Sequence, residues 1–159
     1  MMGEVLTLAN LLKVRKKARM DGRKVVFTNG CFDLLHPGHI ECLRKAKEMG
    51  DLLIVGLNSD SSVRALKGGK RPIVSEQDRA SILSALKFVD YVVIFREETP
   101  ESLIRALLPD VLVKGGDYEI DEIVGRDAVR QAGGEVVTVA RVEGWSTDDL
   151  IRRVMESYG

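Results

Sequence analysis

Residues 24–39 read KVVFTNGCFDLLHPGH. Val25, Val26 and Phe27 form a short apolar run, the pattern of a buried strand over residues 24–28. Asn29-Gly30 is expected to break that strand. Residues 33–36 then cross over, and Pro37 suits the first turn of a helix, where a missing N–H leaves nothing unsatisfied. His36 and His39 therefore stand at a helix entrance, where free backbone N–H groups and the helix dipole favour an anion. Gly38 lies between them with no side chain to block a ligand. Two imidazoles, bare backbone and a helix N-terminus converge on one small volume, which is the local chemistry of a phosphate site.

The surrounding chain has 159 residues, a length typical of one domain. An apolar fraction of 45% allows an ordinary core. Lys plus Arg and Asp plus Glu number 24 each, so the net charge is zero and no sequence-independent affinity for nucleic acid is expected. Any anion site must be local. Cys31 and Cys42 are too few for a disulfide framework, and a reducing, cytoplasmic setting is the default. The start, MMGEVLTLAN, has no cationic region followed by a long apolar run, so neither a signal peptide nor a membrane span is expected.

Outward from the central stretch, apolar runs alternate with helical patterns. A helix is expected over residues 6–20, with Leu8, Leu11 and Leu12 on one stripe and a basic face toward water; residues 1–22 would pack on the rest of the domain. A second helix runs over 37–49, with Ile40, Leu43 and Ala46 inward, and Gly50 stops it. Strands follow at 52–57, 91–95, 111–113 and 136–139. Helices are expected at 61–66, 75–87 (with Ile82, Leu83, Ala85 and Leu86 inward), 99–108, 121–131 and 146–157. KGGKRP at 67–72 reads as a mobile cationic flap. This alternation predicts an α/β domain, a five-stranded parallel sheet with helices on both faces. In such sheets ligands bind beyond the carboxyl ends of the strands, where strand order reverses. Residues 29–39, 58–60, 114–117 and 141–147 all follow strands, so four polar loops can form one site.

CFDLLHPGH resembles the signature of the cytidylyltransferase-like nucleotidyltransferases, whose core is histidine, any residue, glycine, histidine. RVEGWST at 141–147 is similar to that family's second motif. FTNGCFDLLHPGH, GLNSD, LKGGKRP, LLPDVLVKGGDY and GGEV are most similar to the adenylyltransferase half of the bifunctional ADP-heptose synthases, over residues 8–154. The resemblance implies a Rossmann-like nucleotidyltransferase domain that moves AMP from ATP to D-glycero-D-manno-heptose 1-phosphate and releases pyrophosphate. It implies catalytic roles for His36 and His39 and for the flap, with Lys67 and Arg71 expected to act and Lys70 the alternative cation there. It implies a nucleotide site built from Asn29, Gly30, Cys31, Phe32, Gly38, His39, Lys114, Gly115, Asp117, Arg141, Trp145, Ser146 and Thr147. Asp33, Asn58 and Arg71 would lie by the sugar phosphate. Mg²⁺ is expected on the phosphates, with few protein ligands. No sugar kinase half is visible, so a separate kinase upstream is expected, with product feeding lipopolysaccharide or surface-glycan synthesis. Homo-oligomers are common among such small transferases. One departure stands out. The heptose enzymes usually read Ser-Thr-Thr at the last helix cap, and this chain reads Ser146-Thr147-Asp148. A carboxylate there helps the helix and repels a phosphate.

Other readings of the same residues stay open at this level. The two histidines would serve zinc only with two further ligands, or they are a structural pair. A Cys31 nucleophile is not needed for direct transfer. Gly115-Gly116 reads as a plain turn or a nucleotide wall, and Trp145 as a core anchor or a base-pocket wall. Arg79 reads as a surface or salt-bridge residue, or as a phosphate ligand. The family motif also serves CTP-dependent enzymes acting on glycerol 3-phosphate or similar alcohols. A nucleotide-binding module without catalysis is the non-enzyme alternative.

Overall fold

The computed structural model describes residues 2–159; Met1, the first residue of the expected N-terminal segment, lies outside the described residues. Apolar residues at alternate positions of one strand feed two separate cores. Val25 and Phe27 of β2 (Val25–Gly30) join a cluster with Leu11, Ile54, Leu103, Ile104 and Leu112 on one face of the sheet. Val26 of the same strand joins Leu43, Ala46, Val55, Leu57, Leu83 and Val113 on the other. Period-two alternation with both faces covered is what a central parallel strand requires. All seven residues of β3 (Leu52–Asn58) are buried for the same reason.

The remaining elements are β1 (Glu4–Val5), α1 (Leu8–Met20), α2 (Pro37–Glu48), α3 (Asp60–Lys67), α4 (Glu76–Ser84), β4 (Tyr91–Phe95), α5 (Glu101–Leu107), β5 (Val111–Gly115), a 3₁₀ turn (Ile120–Glu122), α6 (Arg126–Gln131), β6 (Glu135–Val139) and α7 (Thr147–Tyr158). The sheet is parallel throughout, in the order β1-β4-β3-β2-β5-β6. From β2 the chain adds β3 and β4 on one side, then returns to place β5 on the other. Strand order therefore reverses between β2 and β5, which opens a crevice at their carboxyl ends. No helix among the described residues is long and apolar enough to cross a membrane.

The sheet has six strands, not the expected five. The extra strand, β1, is two exposed residues on the edge, held by backbone bonds from Glu4 N to Asp90 O at 3.0 Å and from Leu6 N to Val92 O at 2.8 Å. So short an element carries no hydrophobic period. The first helix accordingly starts at Leu8, capped by the Thr7 hydroxyl, which accepts from Asn10 N. Its Arg15 donates to Asp110 Oδ2 at 2.8 Å and to the Leu107 and Leu108 carbonyls, which fastens α1 to the entrance of β5.

Several expected boundaries move. Asn29-Gly30 does not end β2, because both residues pair with Gly56 and Leu57 of β3. β5 runs on through Lys114 and Gly115, paired with Thr138 and Val139, so Gly115 is strand and only Gly116, at φ +107°, turns. The helix expected over 121–131 is a 3₁₀ turn and a short α6, separated by Gly125 at φ +85°. A left-handed residue there cannot continue a right-handed helix. α4 stops at Ser84, leaving Ile82 and Ala85 exposed while Leu83 is buried. α7 has no buried residue.

Candidate functional site

A cavity of about 830 Å³ opens over the β2/β5 crevice. Its floor is the end of β2 (Thr28, Asn29, Gly30) and the end of β5 (Lys114, Gly115), and its walls are the α2 entrance, the flap and the start of α7. The α2 and α7 starts bring first-turn N–H groups to the crevice, and the flap between α3 and α4 brings cations.

His36 and His39 cap α2 reciprocally. His36 Nδ1 accepts from Gly38 N at 3.1 Å, and His39 Nδ1 accepts from His36 N at 3.4 Å. This is the geometry of a capping box with imidazoles in place of the usual hydroxyl and carboxylate. It has a chemical consequence. A neutral imidazole whose Nδ1 accepts must carry its proton on Nε2. Both rings are therefore fixed as Nε2–H donors. The rings stack at 3.8 Å between centroids, and Trp145 continues the stack on His36 at 6.1 Å. Gly38 is required by this packing, since a Cβ would lie 2.9 Å from His36 Cε1.

Burial pushes the His39 pKa down to about 4, and the neighbouring His36 charge adds to the effect. Burial, then the Arg141 charge, lowers His36 as well. Both rings are neutral at pH 7. Between the ordinary value of 6.5 and about 4, the unfolded chain binds a proton at residue 39 that the folded chain refuses. Stability therefore rises with pH across that window and falls on acidification. Denaturant midpoints measured between pH 7 and 4 should show this decline, and a His39→Asn variant should show a shallower one.

Asp33 joins the flap to the rest of the site. Its side chain is fully buried and accepts from Arg71 Nε at 2.7 Å, Ile73 N at 2.9 Å and Val74 N at 3.0 Å. Burial alone would raise its pKa, but the Ile73 and Val74 N–H groups and the Arg71 guanidinium outweigh it and hold the carboxyl below its usual range. The Asp33 carbonyl accepts from Thr147 Oγ1 at 2.7 Å, which ties the start of α7 to the same point. Arg71 also donates to Asp148 at 3.0 Å. The residue that departs from the expected cap therefore points at the flap. Arg79, 1% exposed, is a further tie. It donates to the carbonyls of Cys31 at 2.6 Å, Asn58 at 2.8 Å and Val74 at 2.9 Å, and to Asp60 at 2.8 Å. Its donors are engaged with protein groups, so it is a buried strut between β2, β3, α3 and the flap rather than a surface residue.

The cavity lining includes every residue expected from the sequence: Asn29, Gly30, Cys31, Phe32, Asp33, His36, Gly38, His39, Asn58, Lys67, Arg71, Lys114, Gly115, Asp117, Arg141, Trp145, Ser146 and Thr147. Several are already occupied by the fold. Asn58 Nδ2 donates to Ser62, the Ser146 hydroxyl caps α7 by accepting from Asp149 N, and the Thr147 hydroxyl is used on Asp33. Of the flap cations, Lys67 and Arg71 line the cavity and Lys70 does not. The lining also holds Glu98, Thr99 and Pro100 after β4, and Tyr118, Glu122 and Ile123 after β5. The first three follow a strand on the ligand edge, so the rule that selected four loops selects this one too.

The profile of the family described as cytidylyltransferase-like matches residues 27–153. The "Bifunctional protein HldE" of Geobacter sulfurreducens is 53% identical over 152 residues, 96% of this chain and 30% of that protein. The protein of the same name in Pelobacter propionicus is 58% identical over 143 residues, 90% of this chain and 29% of that one. The chain thus spans just under a third of these relatives' length. A solved lipopolysaccharide core biosynthesis protein from Thermoplasma volcanium is 31% identical, with a TM-score of 0.66, covering 77% of this chain and 100% of that one. Pantoate-beta-alanine ligase from Francisella tularensis, at 14% identity and a TM-score of 0.62 over 88% of this chain and 67% of that one, shares the fold alone.

Proposed function

The chain belongs to the cytidylyltransferase-like family, and from that premise we propose that it is an adenylyltransferase that moves AMP from ATP to D-glycero-D-manno-heptose 1-phosphate. The observation that carries this reading is the stacked imidazole pair, two fixed Nε2–H donors at a helix N-terminus on one wall of the cavity. Nucleotidyl transfer is in-line attack of a phosphate oxygen on the α-phosphorus. The new P–O bond forms as the bond to the β-phosphate breaks, and pyrophosphate leaves with the electron pair. Charge grows on non-bridging and leaving oxygens, so the catalyst needs positioned donors and no nucleophile. Neutral imidazoles held as N–H donors suit this task and need no proton transfer. Arg141, the first-turn N–H groups of α7 and the flap cations supply further positive potential. The heptose acceptor is supported by the sequence likeness to ADP-heptose synthases, by relatives named as bifunctional and by the lipopolysaccharide core biosynthesis protein of related fold.

Among the described residues, no three His, Cys, Asp or Glu side chains stand together as metal ligands. The cavity lining mixes cations with the separate carboxylates Glu98, Asp117, Glu122 and Asp148, a set without a protein cage that fits Mg²⁺ carried on the triphosphate and ligated mainly by its oxygens and water. When bound, Mg²⁺ would neutralise phosphate charge. A cytoplasmic setting agrees with the free thiols of Cys31 and Cys42. An enzyme that phosphorylates the sugar at its anomeric oxygen must supply the acceptor.

The test is ³¹P NMR of the protein with Mg²⁺, ATP and each anomer of heptose 1-phosphate, beside CTP with glycerol 3-phosphate. Paired diphosphate doublets with free pyrophosphate, from ATP and one heptose anomer, are expected. The same signals only from CTP would transfer the reading to a cytidylyltransferase. Nucleotide binding without turnover in any mixture would make the chain a binding module. Asp148 gives a second, smaller expectation. It is 84% exposed and pairs with Arg71, and it stands where a bound triphosphate would repel it. Exposed pairs are worth about 0.2–1 kcal/mol. Asp148→Thr should lower the KM for ATP by roughly two- to fivefold, read from initial rates.

A further inference from the structure

Among the described residues, three of the four cations lining the cavity, Lys67, Lys114 and Arg141, make no ion pair with a carboxylate, and the third of these stands by the α7 start. Arg71 is paired with Asp33 and Asp148, and Arg79 with Asp60. Among the described residues, neither Lys67, at the end of α3, nor Lys114, in β5, has a carboxylate partner, although both line the cavity. The surroundings of Lys114 offer a cation–π contact but no counter-charge. Its Nζ lies 5.0 Å from the centroid of the Tyr118 ring, and its other close titratable neighbours are the thiols of Cys31 and Cys42 and the like charge of Lys67. Burial holds its ammonium below the ordinary lysine value. A buried ammonium without a counter-charge is destabilised until an anion reaches it.

Its place along the site indicates which anion. The aromatic row runs from Trp145 through His36 to His39. Cys42 lies three residues beyond His39 on α2, on the same helix face. Its Sγ sits against β5, 2.8 Å from where a Gly115 Cβ would be. The lysine beside that thiol is therefore at the opposite end of the row from Trp145, Arg141 and the α7 N-terminus. In-line displacement requires the attacking and leaving oxygens on opposite sides of phosphorus. If pyrophosphate leaves toward α7, the attacker enters from the Lys114 end.

We propose that Lys114, with its neighbour Lys67, is the receptor for the acceptor's phosphomonoester dianion in the β2/β5 crevice, not a ligand of the nucleotide. This rests on the transferase reading above. The lysines hold the dianion, whose oxygen forms the new bond to the α-phosphorus while the bond to the pyrophosphate oxygen breaks, and no proton moves.

The test is steady-state kinetics of Lys114→Met, which keeps the volume and removes the charge, beside Lys114→Arg, which keeps the charge. A charged hydrogen bond is worth about 1.5–3 kcal/mol, so Lys114→Met should raise the KM for the acceptor about ten- to hundredfold and leave the KM for ATP within about twofold. Lys114→Arg should recover part of the acceptor affinity. A rise in the KM for ATP instead, or no change in either, overturns the assignment. If the wild-type protein uses another nucleotide and phosphorylated alcohol, the heptose reading falls, and the same KM split on that acceptor still decides for or against Lys114. If it turns over no acceptor, calorimetry with inorganic phosphate decides: binding lost in Lys114→Met supports the receptor, while equal or absent binding in the wild type overturns it.

Discussion

His39→Ala is expected to lose about 10²–10³ in kcat, the scale of a single removed donor to a transition state. The KM for ATP should change far less, because on the proposed reading the helix N-terminus, Arg71 and Arg141 would still meet the triphosphate. The fold should survive. His39 Nδ1 accepts one backbone N–H at 3.4 Å, and losing such a cap costs about 1 kcal/mol. His39→Asn makes a useful companion, since its amide can accept from His36 N while presenting a differently placed donor. Initial rates of pyrophosphate release, with melting curves for each variant, read both effects. A folded His39→Ala protein with undiminished kcat would remove the imidazole from the chemistry.

Arg79→Met is expected to have the largest effect on stability. The substitution strands the Asp60 carboxylate, 25% exposed, and three carbonyls, those of Cys31 and Asn58 at the ends of β2 and β3 and that of Val74 just after the flap. Breaking a buried pair by removing one partner costs about 3–5 kcal/mol. Native domains hold only about 5–15 kcal/mol, so the melting point should fall by roughly 10 °C. Activity should fall too, since Arg79 joins the Cys31 carbonyl to the flap that carries Arg71. Thermal melts followed by circular dichroism measure the first effect. A change under about 2 °C would mean that the strut is dispensable.

The central element, the helix start and the edge of the sheet that bears the cavity were legible because each rests on local chemistry. An apolar triplet, a Pro at the first helical position and a Gly between two His leave few conformations. The same holds for the Ser75 and Ser146 caps, which form as expected. What escaped depends on partners far apart in sequence. Asp33 is a carboxylate near a site until Arg71, Ile73 and Val74 are seen to occupy it. Arg79 lies in a helix whose polar pattern suggests water, and only the fold brings the Cys31, Asn58 and Val74 carbonyls to it. Asn29-Gly30 has the composition of a turn, yet β3 holds both residues extended. β1 is too short to show any period.

The His pair, with its Nδ1 atoms used in capping, and the absence of any need for a nucleophile make one claim: AMP passes directly from ATP to the acceptor phosphate. The stereochemistry at phosphorus tests it. Turnover of (Sp)-ATPαS should give an ADPαS-sugar inverted at the α-phosphorus, the outcome of one in-line displacement. Net retention would mean two displacements through a nucleotidylated side chain, with Cys31 or a histidine as nucleophile, and would contradict a purely donating role for the two imidazoles.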